Sequence, residues 1–129
     1  MNASPPPTSR GRVLVVDAQR NTRATIGLLL RAEGYTVFEA DTHDTALAGI
    51  ARGVDLMLVR LKSMNALELI PRAVALAPYL RILVMTSFGA EKDAQEAVRC
   101  GACNDYMMLP FKERELRERV ERLIKQVKP

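Results

Sequence analysis

The sequence predicts an α/β domain: a doubly wound, five-stranded parallel sheet flanked by five helices. Three observations carry that expectation. Five short apolar runs alternate with five segments whose apolar residues recur at helical spacing. The links between them are short, and strand–helix alternation of this kind yields parallel strands with helices on both faces. The chain has 129 residues, of which 48% are apolar, enough for one core and too few for two ordinary domains.

The elements follow in order. Arg12–Asp17 is an apolar run of the kind a strand buried on both faces shows. Asn21 to Glu33 places Ile26, Leu29 and Leu30 on one helical face and closes at Gly34, a residue that favours the left-handed turn of a helix C-cap. Tyr35–Ala40 is the second strand, and Thr42 caps a helix carrying Ala46, Leu47 and Ile50. Val54–Arg60 is the most apolar strand. Asn65 and Glu68 have capping-box spacing ahead of a helix with Leu67, Ile70 and Val74 on one face, and Pro71 inside it is expected to introduce a kink. Arg81–Thr86, Glu91–Arg99 and Asp105–Leu109 read as strand, helix and strand. Phe111–Val127 closes the series, with Leu116, Val120, Leu123, Ile124 and Val127 in one stripe. In sheets of this type ligands sit beyond the carboxyl ends of the strands, so Asp17, Arg60, Thr86 and Leu109 are the positions to question.

Composition removes several classes. No apolar run approaches the roughly 18 residues of a membrane helix. The opening Met-Asn-Ala-Ser-Pro-Pro-Pro does not have the form of a secretory signal, and residues 1–11 read as a flexible Pro-rich tail ahead of a domain spanning 12–129. Two cysteines make no disulfide scaffold, and a reducing cytoplasm is the expected compartment. The net charge is +4, with an excess of +3 between Lys112 and Lys128, where seven basic side chains face four acids. The signs alternate there, as on a solvated helix face laced with ion pairs, so a nucleic-acid partner is disfavoured.

At this point the chain resembles the receiver domains of bacterial two-component response regulators, most of all those of enhancer-binding transcriptional activators. The residues that carry the likeness are Arg-Val-Leu-Val-Val-Asp (12–17), Arg-Ala-Glu-Gly-Tyr-Thr-Val (31–37) and Ile-Leu-Val-Met-Thr-Ser-Phe-Gly (82–89). Gly101-Ala102, Asp105-Tyr106 and Leu109-Pro110-Phe111 complete it. The resemblance implies a flavodoxin-like fold with strand order 2-1-3-4-5 and a cis peptide before Pro110. It also implies a phosphorylation pocket, because a working receiver takes a phosphoryl group onto an aspartate ending its third strand. Two acids after the first strand hold magnesium, a lysine precedes the proline, and a Ser or Thr ends the fourth strand.

Placed on these positions, most of that set is replaced. Asp17 matches the first acid, but Ala18 stands at the second. Arg60 occupies the acceptor position and Leu109 the lysine position, while Thr86 and Tyr106 match the family's switch pair. The loop after Arg60 is shortened to Ser63-Met64-Asn65-Ala66, and one residue is added around Cys103-Asn104. The resemblance therefore implies a degenerate receiver, or pseudo-receiver, with no catalytic residue, no metal and no cofactor. It would signal by protein–protein contact through Thr86, Tyr106 and Phe111 on the surface of helix four, strand five and helix five, where a homodimer is also expected. With no DNA-binding or enzymatic segment in these residues, output is expected to pass through another protein.

Arg60 is expected to fill the metal position and pair with Asp17, the alternative being a guanidinium extended into solvent. Thr86 is expected to bond nearby backbone. Three other functions compete: a residual phosphorelay or ligand-sensing element modified at Ser63 or Thr86, a nucleic-acid binder using the last helix, and a thiol redox protein using Cys100 and Cys103. The CxxC spacing favours the last, but its place at a helix C-terminus disfavours a thiolate. His43 is expected to be exposed, and Met64, Met107 and Met108 to fill core or loop space.

Overall fold

The computed structural model describes residues 8–126. Its elements are β1 (Arg12–Val16), α1 (Arg20–Ala32), β2 (Thr36–Ala40), α2 (His43–Ala51), β3 (Leu56–Arg60), α3 (Ala66–Leu76), β4 (Arg81–Thr86), α4 (Glu91–Arg99), β5 (Asp105–Met108) and α5 (Glu113–Lys125). All strand pairs are parallel, in the order β2-β1-β3-β4-β5, as the resemblance implied.

Alternation along the strands divides the core in two. Val13, Val15, Leu56, Leu58, Leu83 and Met85 face α1 and α5, meeting Ile26, Leu30, Leu116, Val120 and Leu123. Leu14, Val16, Met57, Val59, Ile82 and Val84 face the other way, onto α2, α3 and the small alanines of α4. β1 and β3 are therefore buried on both faces, which brings their carboxyl ends side by side in the middle of the sheet.

Turn chemistry fixes where the chain reverses. After α1, Gly34 at φ 97° lets its own N–H bond the Arg31 carbonyl and the Tyr35 N–H bond that of Leu30. Gly101 at φ 85° ends α4 in the same manner, with bonds to Val98 and Ala97. Thr42 caps α2 as expected, and in the reciprocal bond the Thr42 N–H donates to the Thr45 hydroxyl.

Several expectations need correction. Asn65 does not cap α3: it lies at φ 49°, ψ 55°, and its amide donates to the Glu68 carboxylate rather than accepting from the helix. The buried stripe of α3 is Ala66, Leu69, Ile70 and Ala73, which leaves Leu67 48% exposed. Pro71 lies inside α3, where the sequence places it, and is exposed. α5 begins at Glu113, two residues after Phe111, and Val127 lies outside the described residues. His43 is half-buried, its Nε2 2.6 Å from the Met64 carbonyl.

The boundary at Arg12 also falls inside the folded part. Arg10 N–H bonds the Gly34 carbonyl, the Thr36 N–H bonds that of Gly11, and the Arg10 guanidinium lies 4.9 Å from the centre of the Tyr35 ring. Residues 1–7 of the expected tail lie outside the described residues. Met64 and Met107 are core residues, as anticipated.

Candidate functional site

The carboxyl ends of β1 and β3 meet at Asp17 and Arg60. Asp17 is fully buried, and Arg60 keeps 15% of its side chain exposed. Strand register explains the meeting, because Val16 lies opposite Val59, which puts the next residue of each strand at one level. Arg60 Nε donates to Asp17 Oδ2 at 3.2 Å and Nη2 stands in ion-pair contact with the same oxygen at 2.9 Å, while Oδ1 accepts the Gln19 backbone N–H at 2.9 Å. Both prongs of the guanidinium thus fall on one carboxylate oxygen, with the backbone taking the other.

The Asp17 backbone is occupied as well. Its N–H bonds the Ala40 carbonyl at 3.1 Å, and its carbonyl accepts Arg23 Nη1 at 2.7 Å. A buried carboxylate needs a cation close by, and this one is neutralised by the guanidinium. Arg60 Nη2 also reaches Gln19 Oε1 at 3.3 Å, so the loop after β1 closes over the pair.

The other expected residues gather around this pair without joining it. Ala18 is exposed and carries no ligand atom. Thr86, 1% exposed, makes a long hydroxyl bond of 3.4 Å to the Ser87 carbonyl, the local backbone contact expected of it. Leu109 donates its N–H to the Thr86 carbonyl at 2.7 Å, and the Leu109–Pro110 peptide is cis. Among the described residues no three His, Cys, Asp or Glu side chains cluster to hold a metal ion.

Tyr106 and Phe111 pack against different halves of the core. Tyr106 packs on the α2–α3–α4 side, its hydroxyl donating to Glu91 at 2.9 Å and accepting from Gln95 at 3.3 Å. Phe111 packs on the α1–α5 side. The physical reason is the alternation of the sheet: α5 turns back over one face while the Tyr106 side chain leaves β5 on the other. Phe111 there lines a cleft of about 470 Å³ with Arg60, Leu109, Pro110 and the first turns of α1.

Sequence reasoning missed Gln19, Arg23 and Glu91. Gln19 and Arg23 stand one helical turn apart at the start of α1, a spacing that would have placed both beside the Asp17 loop. Glu91 opens α4, and nothing local signalled its contact with Tyr106.

The competing chemistries find little support in the geometry. Cys100 is exposed while Cys103 is buried, and burial first, then the negative charge of Asp105, pushes the Cys103 thiol up to about 11. A redox nucleophile needs the opposite shift. The charges of α5 satisfy one another in turn-spaced pairs, Arg114–Glu118, Arg117–Glu113, Arg119–Glu115 and Lys125–Glu121. Arg119 also reaches back to Asp105 on β5 at 2.6 Å.

Known proteins share this architecture and sequence. The chain is 31% identical over 125 residues to the transcriptional regulatory protein FixJ of Bradyrhizobium diazoefficiens, covering 95% of this chain and 60% of that protein. It is 35% identical over 120 residues to the transcriptional regulatory protein ZraR of Salmonella typhimurium, covering 89% of this chain and 27% of that protein. The crystal structure of the receiver domain of NtrX from Brucella abortus superposes with a TM-score of 0.82 at 28% identity, covering 89% of this chain and 99% of that one. The chain thus spans less than two thirds of the length of the curated relatives it matches. The family model of the response regulator receiver domain matches residues 13–121, and the chain belongs to that family of signal-transduction domains.

Proposed function

We propose that this receiver domain is a pseudo-receiver, acting in a cytoplasmic signalling pathway by phosphorylation-independent protein–protein interaction rather than by catalysis. The observation that carries this reading is the Arg60–Asp17 ion pair. Where the family has its acceptor carboxylate, this chain has a guanidinium, which is no nucleophile for phosphoryl transfer and whose fixed charge repels a divalent cation. The carboxylate that would ligate that cation already accepts the Arg60 Nε and Gln19 N–H bonds and pairs with Arg60 Nη2. Leu109 offers no charge to pair with an acyl phosphate.

The partner surface in this reading is the side of α4 and β5 that bears Tyr106, where an aromatic ring edged by Glu91 and Gln95 supplies an amphipathic anchor. A protein partner, or a second copy of the chain, docks there. The test is twofold. The protein is incubated with magnesium and acetyl phosphate and its intact mass measured, and partner capture is compared with and without that treatment and in Tyr106→Ala. The reading expects no phosphoryl adduct, and capture that ignores the donor but is lost in the variant. An adduct, or capture that appears only after treatment with the donor, contradicts it.

A further inference from the structure

The cleft beside Arg60 has a chemistry that the protein-binding reading does not use. Its volume of about 470 Å³ lies in the range of small-molecule sites, roughly 300–1,000 Å³. One wall is apolar, formed by Leu109, Pro110 and Phe111. Its other lining residues at the start of α1, Gln19, Asn21, Thr22 and Thr25, carry neutral hydrogen-bonding side chains. Arg60 is the one charged side chain among those lining it.

Arg60 spends only part of its donor capacity on Asp17. Nε and Nη2 are committed to Asp17 and Gln19, while Nη1 makes no hydrogen bond among the described residues. A guanidinium with donor capacity left, lining the same cleft as three apolar residues, matches a planar anion on an apolar body. Charge decides between anions. The positive charge of Arg60 is already opposed by one carboxylate, so a second single negative charge can be shared through Nη1, whereas a phosphate dianion would place two more negative charges beside fully buried Asp17.

We propose that this cleft binds a small organic monocarboxylate, its carboxylate on Arg60 Nη1 and its apolar body against Leu109, Pro110 and Phe111. Such a ligand would sit at the vestige of the phosphorylation pocket and give the domain an input of its own. The site does not depend on whether the domain escapes phosphorylation, since it uses only the observed cleft and guanidinium.

The test is a titration of the labelled protein with hydrocinnamate, followed by amide NMR. Hydrocinnamyl alcohol and inorganic phosphate serve as controls. A ligand of this size is expected to saturate with a dissociation constant on the order of 1–10 mM, shifting Thr22, Thr25 and Phe111. The alcohol and phosphate should bind at least about tenfold more weakly, the cost of one lost charge-assisted contact. Thr25→Glu, at an exposed position on α1, puts a negative charge on the rim and should weaken hydrocinnamate by a similar factor. Arg60→Gln should abolish the preference for the acid over the alcohol. Absence of saturation at roughly ten times the expected constant overturns the proposal, as does equal binding of acid and alcohol or an unchanged affinity in Thr25→Glu. Failure of the phosphorylation-independent reading would instead show at Asp17 and Thr86 with phosphoryl mimics, and not in this titration.

Discussion

Replacing Arg60 by Ala removes the cation from a carboxylate that has no exposure of its own. Breaking a buried pair from one side costs roughly 3–5 kcal/mol, because the remaining charge is left without a partner. Two features place this case at the low end. Asp17 keeps the Gln19 N–H on Oδ1, and Arg60 borders an open cleft through which water reaches the carboxylate in the variant. About 3 kcal/mol is therefore expected, some two orders of magnitude in the folding equilibrium. For a domain of this length that is a fall in Tm of roughly 10 °C. Urea denaturation followed by circular dichroism reads the loss directly. Replacing both partners by apolar residues, Asp17→Leu with Arg60→Met, should recover most of it, since an apolar pair of similar volume costs little or nothing. A loss below about 0.5 kcal/mol in Arg60→Ala, the range of ordinary surface changes, would refute the reasoning.

Other outcomes follow from the same structure. Cys103, raised from 9.0 to about 11, is protonated at neutral pH, so a thiol reagent should label Cys100 first and reach Cys103 only on unfolding. The native state holds that proton more tightly than the unfolded chain. Stability should therefore be unaffected by Cys103 below pH 9 and fall as pH rises from 9 towards 11, by an order of 2–3 kcal/mol that Cys103→Ala lacks. His43→Ala removes the bond to the Met64 carbonyl and should cost about 1 kcal/mol, with faster hydrogen exchange at Asn65 and Ala66 in the loop it holds. Tyr106→Phe removes the hydroxyl contacts to Glu91 and Gln95, which should cost about 1 kcal/mol and shift the amides of the first turn of α4.

Period carried most of the fold. Strands as short apolar runs and helices with apolar residues three to four apart were visible without any contact information, and Val13 and Leu14 on β1 facing opposite halves of the core show why such a run is apolar throughout. The pairing of Asp17 with Arg60 was legible too, because parallel neighbours that end at one level bring their last residues together. What remained hidden depended on competition between near-equal local choices. Leu67 and Ala66 offered two stripes one residue apart on α3, and only packing against β3 and β4 chooses between them. Asn65 had the composition of a cap, yet the tight turn after Arg60 needed a left-handed residue, which Asn adopts readily, and that conformation won. His43 and Glu91 meet partners 21 and 15 residues away, at separations no local pattern encodes. Tyr106 and Phe111 pack against different halves of the core because the Tyr106 side chain leaves β5 on one face while α5 returns over the other.

The central claim is that Arg60 and Asp17 close the pocket to phosphoryl chemistry. Amide NMR of the labelled protein with magnesium and beryllium fluoride, a mimic of an acyl phosphate, tests it most directly. Spectra unchanged at Asp17, Thr86 and Tyr106 are the predicted result. Saturable shifts at those three residues would show a pocket that still receives the mimic, and would contradict the account.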